Sequence, residues 1–393
     1  MLTRIVSAGK MAKNIVVLGG GVGGLVASNK LRKKLSKEYQ IFLIDRRAQF
    51  EFTPSYLWVM TGWRQPNQIM KDLSRLNRKG INYINAEVTK IDPENRIIKT
   101  SVKDFNYDYL VISLGADLVP DAVPGFSDSA YNIYDLNDLT HLKEVLNQFS
   151  HGTVAVLISS VPFKCPAAPY EAALLVDYFL RKKGVRKNVG IRLYTPEPFP
   201  MPVAGSVVGN SVKKILEQQE IGFQSKVKPV SIDAKKRRIV FEKGEEAVFD
   251  LLLGVPTHRS ASVVRENKEL IDSSGWVPVD KGSLKTRYDD LYAIGDIAAI
   301  KLPSGMMLPK AGVFAHNHAE VVAHNIATDI EGGSKTEFGG KGFCFLETGY
   351  GKAGFVSGNF YTAPATTVKL CSPSRIWHWG KILFEKYWMW RWF

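Results

Sequence analysis

Residues 14–31, NIVVLGGGVGGLVASNKL, constrain the start of this chain more than any other stretch. The apolar run reads as a buried parallel strand, the glycines as a tight turn, and the remainder as a helix. In Gly19-x-Gly21-x-x-Gly24 the first glycine makes the turn, the second admits a pyrophosphate, and the third lets helix pack on strand. The helix N-terminus adds free N–H groups and a partial positive charge, which together form an anion site. Asp45 closes the next strand, QIFLID (40–45), where a carboxylate accepts hydrogen bonds from ribose hydroxyls. Arg46 beside it keeps a 2′-phosphorylated ribose open as an alternative.

About 140 residues later the same shape returns as TVAVLISSVPFKCPAAPYEAALLVDYF (153–179), without the glycines and with Cys165 at the turn. A chain of 393 residues, 45% apolar and 23% charged, has room for two globular domains of ordinary size. The expected fold is α/β: two Rossmann-like dinucleotide-binding domains plus a C-terminal membrane-interface region. The first domain spans 11–120, and the second, with Cys165, spans 121–280. The chain returns to the first domain over 281–330, and 331–393 form the C-terminal region. LVPDAVPGF (118–126) reads as the crossover, and 82–101 as antiparallel strands around the turn DPEN. DLYAIGDIA (290–298) reads as a late strand and turn, 312–327 as a helix, and 338–370 as strands. MLTRIVSAGK at the start lacks the apolar core of a signal peptide, and Met11 offers a second start.

Cysteines 165, 344 and 371 are too few for a disulfide framework or a four-thiolate metal site, so no metal is expected. Cys165 lies in PFKCPAAPYE, before an apolar helix and beside Lys164. Both the cation and the helix end favour the reactive thiolate. Glu171, in the first turn of that helix, is a candidate proton shuttle, or a charge complementing the helix dipole. One thiol cannot easily relay two electrons from a sulfur compound. A pair can, because attack on a disulfide leaves a persulfide and a thiolate. Cys344, in GFCFLETGYG, is the chosen partner, and Cys371 remains the alternative.

Taken together, GGGVGG, FEFTPSYLWVMTG, PFKCPAAPYE, EPFPMPVAG, YAIGDIA, PKAGVFA and GFCFLETG run over nearly the whole chain and resemble sulfide:quinone oxidoreductases. These two-dinucleotide flavoproteins include the flavoprotein subunit of flavocytochrome c sulfide dehydrogenase, and CPxxPYE with a downstream GxC is the specific element. The resemblance implies FAD, with Gly295 and Asp296 against its ribityl chain and Gly115 in a second flavin-contacting strand. Lys310 and Gly312 would open a helix facing the pyrimidine end, where its dipole stabilises the reduced anion. The resemblance also implies that Cys165 and Cys344 bridge through sulfur on one face of the flavin ring. Hydrogen sulfide opens that bridge, and a quinone removes the electrons from the opposite face. Residues 46–60 and 118–135 lack the cysteines that some relatives link to flavin, so non-covalent FAD is expected. The histidines that the family carries near its second domain are not evident. Competing readings are a cytochrome-linked sulfide dehydrogenase, a type II NADH:quinone oxidoreductase and a non-catalytic redox sensor. SSVPFKC is a poor glycine fingerprint for NADH.

A net charge of +14 points to an acidic partner. No basic strand interleaved with aromatics suggests nucleic acid. The last residues, SRIWHWGKILFEKYWMWRWF, hold five of eight tryptophans. On a helical projection Ile376, Trp379, Leu383, Phe384, Tyr387, Trp388 and Trp390 share one face, with Arg375, His378, Lys381, Glu385 and Lys386 mostly opposite. The stretch is too short and too charged to span a bilayer and suits a helix in the interface of an anionic membrane. That predicts a peripheral protein of the cytoplasmic membrane serving a lipophilic quinone, and leaves room for a homo-oligomer. Phe345, Tyr350, Phe355 and Phe360 are candidates for the quinone pocket.

Overall fold

The computed structural model describes residues 12–393, so MLTRIVSAGK and Met11, the first residue of the expected first domain, lie outside the described residues. The first unit contains β1 (Asn14–Leu18), α1 (Val22–Lys34), β2 (Gln40–Asp45), β3 (Asn82–Asn85) and β4 (Tyr109–Ile112). With the late strand Leu291–Ala293 they form one parallel sheet, ordered late strand, β4, β1, β2, β3. Ile15 to Leu18 are fully buried, as a strand covered on both faces requires. Gly19 has φ +95°, and a Cβ on Gly24 would come within 1.8 Å of the Gly19 carbonyl oxygen. The helix therefore starts directly on the end of the strand.

Two connections, Ala116–Val119 and Thr257–Ser260, pair antiparallel and join the units. The second unit contains β5 (Ala130–Asn132), α2 (Leu136–Gln148), β6 (Gly152–Ile158), α3 (Ala168–Lys183), β7 (Val189–Tyr194), α4 (Ser206–Gln218), β8 (Ile221–Gln224) and β9 (Leu251–Val255). Its sheet is again parallel, in the order β5, β9, β6, β7, β8. The late strand is β10 (Leu291–Ala293), followed by α5 (Gly312–Glu331). The chain ends in an antiparallel sheet of β11 (Lys341–Gly349), β12 (Lys352–Asn359) and β13 (Thr367–Ser374), and in α6 (Arg375–Arg391).

Two expectations need correction. Residues 82–101 are not one antiparallel pair: β3 joins the parallel sheet, and only Val88–Asp92 and Ile97–Thr100 pair antiparallel. The break falls at Ala86, whose N–H is taken by the Asp45 carbonyl at the end of β2. The projection of the last helix was also rotated. Phe384 and Trp388, expected on its outer face, pack on Phe52 and Phe50, with the Phe50 and Trp388 ring centroids 5.0 Å apart. Lys381 and Glu385, expected on its wet face, are 5% and 1% exposed. Partners more than 200 residues away neutralise these charges, which no local periodicity can reveal.

Candidate active site

A cavity of about 510 Å³ runs from the start of α1 to the C-terminal sheet. At its first end α1 has no side-chain cap, so its leading N–H groups stay available to a ligand. A Cβ on Gly21 or on Gly115 would meet nothing within 4 Å. Asp45 is buried at the end of β2, its carboxylate accepting the backbone N–H groups of Gly20 at 2.6 Å and Arg47 at 2.7 Å. Arg46 turns outward to Glu87 (3.6 Å) and Asp117 (4.0 Å) on the rim.

Midway, Gly295 (φ +72°) and Asp296 follow β10, and the Asp296 Oδ1 atom is buried without a hydrogen-bond partner. Burial raises the Asp296 pKa, opposed by Lys310 and Lys164. An orphaned carboxylate oxygen on the wall of an elongated cavity suits a ligand rich in hydroxyls. Lys310 is 5% exposed, so it is no surface charge. Its ammonium donates to the Asp296 carbonyl at 2.6 Å and lies 3.4 Å from the centre of the Trp276 ring. Burial lowers its pKa to about 8. Gly312, the first residue of α5, also lines the cavity, so this helix N-terminus opens onto it.

A second chamber, of about 400 Å³, adjoins the first and is lined mostly by Val, Pro, Phe and Met side chains. Cys165, Lys310, Phe343 and Cys344 line both spaces, so the two sulfurs stand in the partition. Cys165 holds the left-handed conformation (φ +53°) where the other unit has its glycine turn. Two backbone hydrogen bonds fix it there: its N–H donates to the Lys310 carbonyl (2.6 Å), and its carbonyl accepts the Ala168 N–H (2.9 Å). Cys344 reaches it from β11. The hydrogen bond between the two thiols lowers the Cys165 pKa most, with Lys381 and the Ala168 N–H helping against burial. The same bond, together with burial, raises Cys344 well above an ordinary thiol. The pair is therefore polarised, with thiolate character on Cys165.

Glu171, 5% exposed, lies 2.6 Å from the Lys381 ammonium. Burial raises the Glu171 pKa and Lys381 opposes it. Burial also works against the Lys381 charge, but Glu171 and Glu347 outweigh it and keep the ammonium protonated. Lys381 was expected among lipid headgroups and instead belongs to the site. Its partner lies 210 residues away in the chain, and no local spacing signals that contact.

The expected quinone aromatics divide. Phe345 lines the larger cavity and Phe360 the chamber, whereas Phe355 stacks on Trp377 behind them, 4.4 Å between centroids. Tyr350 packs on Tyr178 and lines neither space. Phe343 and Phe384, not among those four, join Phe345 in the lining of the larger cavity, the three ring centroids 5.9–6.2 Å apart. Cys371 is exposed and lines neither space, whereas Cys344 lines both together with Cys165. Among the described residues no cluster of three or more candidate metal ligands occurs.

Residues 13–158 match the pyridine nucleotide-disulphide oxidoreductase family. Over its length the chain is similar to the sulfide-quinone reductase of Aquifex aeolicus, 29% identical over 97% of this chain and 91% of that protein. It is 27% identical to the mitochondrial sulfide:quinone oxidoreductase of Dictyostelium discoideum, over 73% of this chain and 66% of that one. A type II NADH:quinone oxidoreductase of Staphylococcus saprophyticus is 25% identical over 83% of this chain and 85% of that one. The crystal structure of the Aquifex aeolicus sulfide:quinone oxidoreductase superposes with a TM-score of 0.87, at 26% identity and 97% and 91% coverage.

Proposed function

We propose that this chain is a sulfide:quinone oxidoreductase: it oxidises hydrogen sulfide to sulfane sulfur and delivers the electron pair, through FAD, to a membrane quinone. The observation that carries this reading is the partition, in which Cys165 and Cys344 separate a dinucleotide-sized cavity from an apolar chamber. When bound, FAD supplies a two-electron acceptor for the sulfur pair and a donor for the quinone. Gly19, Gly21, Gly24 and Asp45 would hold its adenosine and pyrophosphate, with Arg46 at the rim. Gly115, Gly295, Asp296, Lys310 and Gly312 would hold the ribityl and flavin end. Among the described residues Cys165 and Cys344 are the only cysteines in the cavity lining, which supports non-covalent binding.

Hydrosulfide attacks the oxidised Cys165–Cys344 pair. One S–S bond breaks and another forms, leaving a persulfide on one cysteine and a thiolate on the other. A second hydrosulfide takes the outer sulfur of that persulfide and carries it out through the chamber as a hydrodisulfide, leaving two cysteine thiolates; these re-form the bridge and give up the electron pair that bound FAD would accept. Lys381 steadies the thiolate, Glu171 exchanges protons beside it, and Phe343, Phe345 and Phe384 form an apolar berth for a quinone ring.

The chain is read as a peripheral membrane protein. No helix of the described residues is long and apolar enough to cross a membrane. Ile376, Trp379, Leu383, Tyr387 and Trp390 are each 58–76% exposed along one stripe of α6. Such a stripe on a strongly basic protein suits the interface of an anionic bilayer, and a second copy of the chain is the competing occupant.

The decisive experiment is anaerobic stopped-flow of the FAD-loaded protein with sulfide and, separately, with NADH. Sulfide should bleach the flavin and quinone restore it. Bleaching by NADH and not by sulfide would overturn the reading in favour of an NADH:quinone oxidoreductase.

A further inference from the structure

Glu197 plays no role in the steps above, yet it lies on the wall of the sulfur chamber. It follows β7 on the loop Pro196–Pro202 and is 5% exposed. The fully buried Tyr170 hydroxyl donates to Glu197 Oε2, and the Thr195 hydroxyl reaches the same oxygen at 3.3 Å. Oε1 takes no hydrogen bond among the described residues and is not sealed from solvent, so the carboxyl keeps one oxygen for a ligand. Glu197 and Lys310 are the charged side chains of the chamber lining, and the Lys310 ammonium is turned to the Asp296 carbonyl. The chamber thus contains one available carboxylate and a wall that disfavours the entry of free anions.

We infer that Glu197 is the base that takes a proton from hydrogen sulfide inside the chamber. The inference rests on the sulfide-oxidising reading and deepens it. Neutral hydrogen sulfide enters an apolar space more readily than the hydrosulfide anion, but only the anion is a competent nucleophile toward the sulfur pair. Hydrogen sulfide gives one proton to the Glu197 carboxylate, leaving hydrosulfide and the Glu197 acid, and hydrosulfide then opens the Cys165–Cys344 bridge. No electrons move in the proton step, and the proton leaves with the departing sulfur chain or to water at the chamber mouth. Tyr170 is a positioning residue. In CPAAPYE the adjacent side chains of Tyr170 and Glu171 diverge, one toward Glu197 and the other toward Lys381. That one motif therefore orients a carboxyl on each side of the partition.

Burial raises the Glu197 pKa to about 7, against the Tyr170 and Thr195 hydrogen bonds, which suits a base working near neutrality. The titratable groups around it are Tyr170 on α3, Tyr134 just before α2, and Cys165 and Lys310 across the chamber. Lys226 touches it through a backbone N–H only, to the Glu197 carbonyl.

The test is the limiting rate of flavin reduction at saturating sulfide, measured from about pH 5.5 to 9, where the profile reports the bound complex rather than free sulfide. Wild-type protein should show an acid limb near pH 7, and Glu197→Gln should lose that limb and slow roughly 100-fold with FAD retained. Tyr170→Phe removes a hydrogen bond to the carboxylate and should move the limb to higher pH. A carboxyl infrared band titrating near pH 7 should disappear in Glu197→Gln. An unchanged rate and limb in Glu197→Gln overturns the inference. Should that variant not retain FAD, an unmoved limb in Tyr170→Phe overturns it equally. Wild-type protein that sulfide does not reduce sinks the parent reading, whereas normal reduction in both variants sinks this inference alone.

Discussion

The Lys381 ammonium lies 2.6 Å from the Glu171 carboxylate, joining the last helix of the chain to the helix that follows Cys165. Both groups are buried, and Lys381 also lies 4.7 Å from the centre of the Trp58 ring. One helix, α6, thus carries both the exposed stripe and the cation that faces the sulfur pair.

Removing one partner of this pair should be costly. Lys381→Met leaves Glu171 buried without its cation and is expected to destabilise the protein by about 3–5 kcal/mol in urea unfolding. Adding Glu171→Gln should recover much of that loss. A double variant no more stable than Lys381→Met would show that the two charges are not coupled.

Cys165→Ala and Cys344→Ala should each abolish flavin reduction by sulfide while leaving FAD bound, and Cys371→Ser should behave as wild type. Normal reduction in either alanine variant would remove that cysteine from the mechanism. In Lys381→Met the Cys165 thiolate loses a stabilising cation, so alkylation of the reduced protein should need higher pH.

Asp296→Ala removes the carboxylate with the orphaned oxygen and should weaken FAD retention, read as loss of flavin absorbance after gel filtration. Acid precipitation of the wild-type protein should release all of its flavin into the supernatant. Flavin remaining in the pellet would contradict non-covalent binding.

Trp379→Ser, Leu383→Ser and Trp390→Ser together should abolish co-sedimentation with anionic vesicles while leaving sulfide-driven flavin reduction intact. A change in oligomeric state with vesicle binding unaltered would assign the stripe to a second copy of the chain instead.

Burial lowers the His258 and His318 pKa values to about 3, so both are neutral when folded and regain ordinary values, near 6.5, when unfolded. Their contribution to stability is complete above about pH 6.5 and is lost as pH falls toward 3. Each should contribute a slope of about 1.4 kcal/mol per pH unit in that window. Urea unfolding at about pH 7.5 and about pH 5.5 measures it, and a double asparagine variant should flatten the difference.

Local chemistry made β1, its glycine turn and α1 readable, because each residue there is constrained by its neighbours. The same holds for Cys165 ahead of α3, where a thiol marks the place of a missing glycine. Glu197 was not legible. It reads as an ordinary loop carboxylate until Tyr170 and the chamber wall surround it. Lys381 and Glu385 misled the helical projection for the same reason, since their partners Glu171 and Arg64 lie 210 and 321 residues away.

By itself the chain's order of residues determined two parallel α/β units, a dinucleotide site in the first and a thiol at the corresponding turn of the second. Those features arise from backbone conformation and short-range spacing. Tertiary structure decided which sulfurs meet, which face of the final helix is left outside, and which buried carboxyls acquire unusual proton affinities. Such properties depend on burial and on charges brought together from distant parts of the chain, and electrostatic energies in a poorly solvated interior are set by those distances.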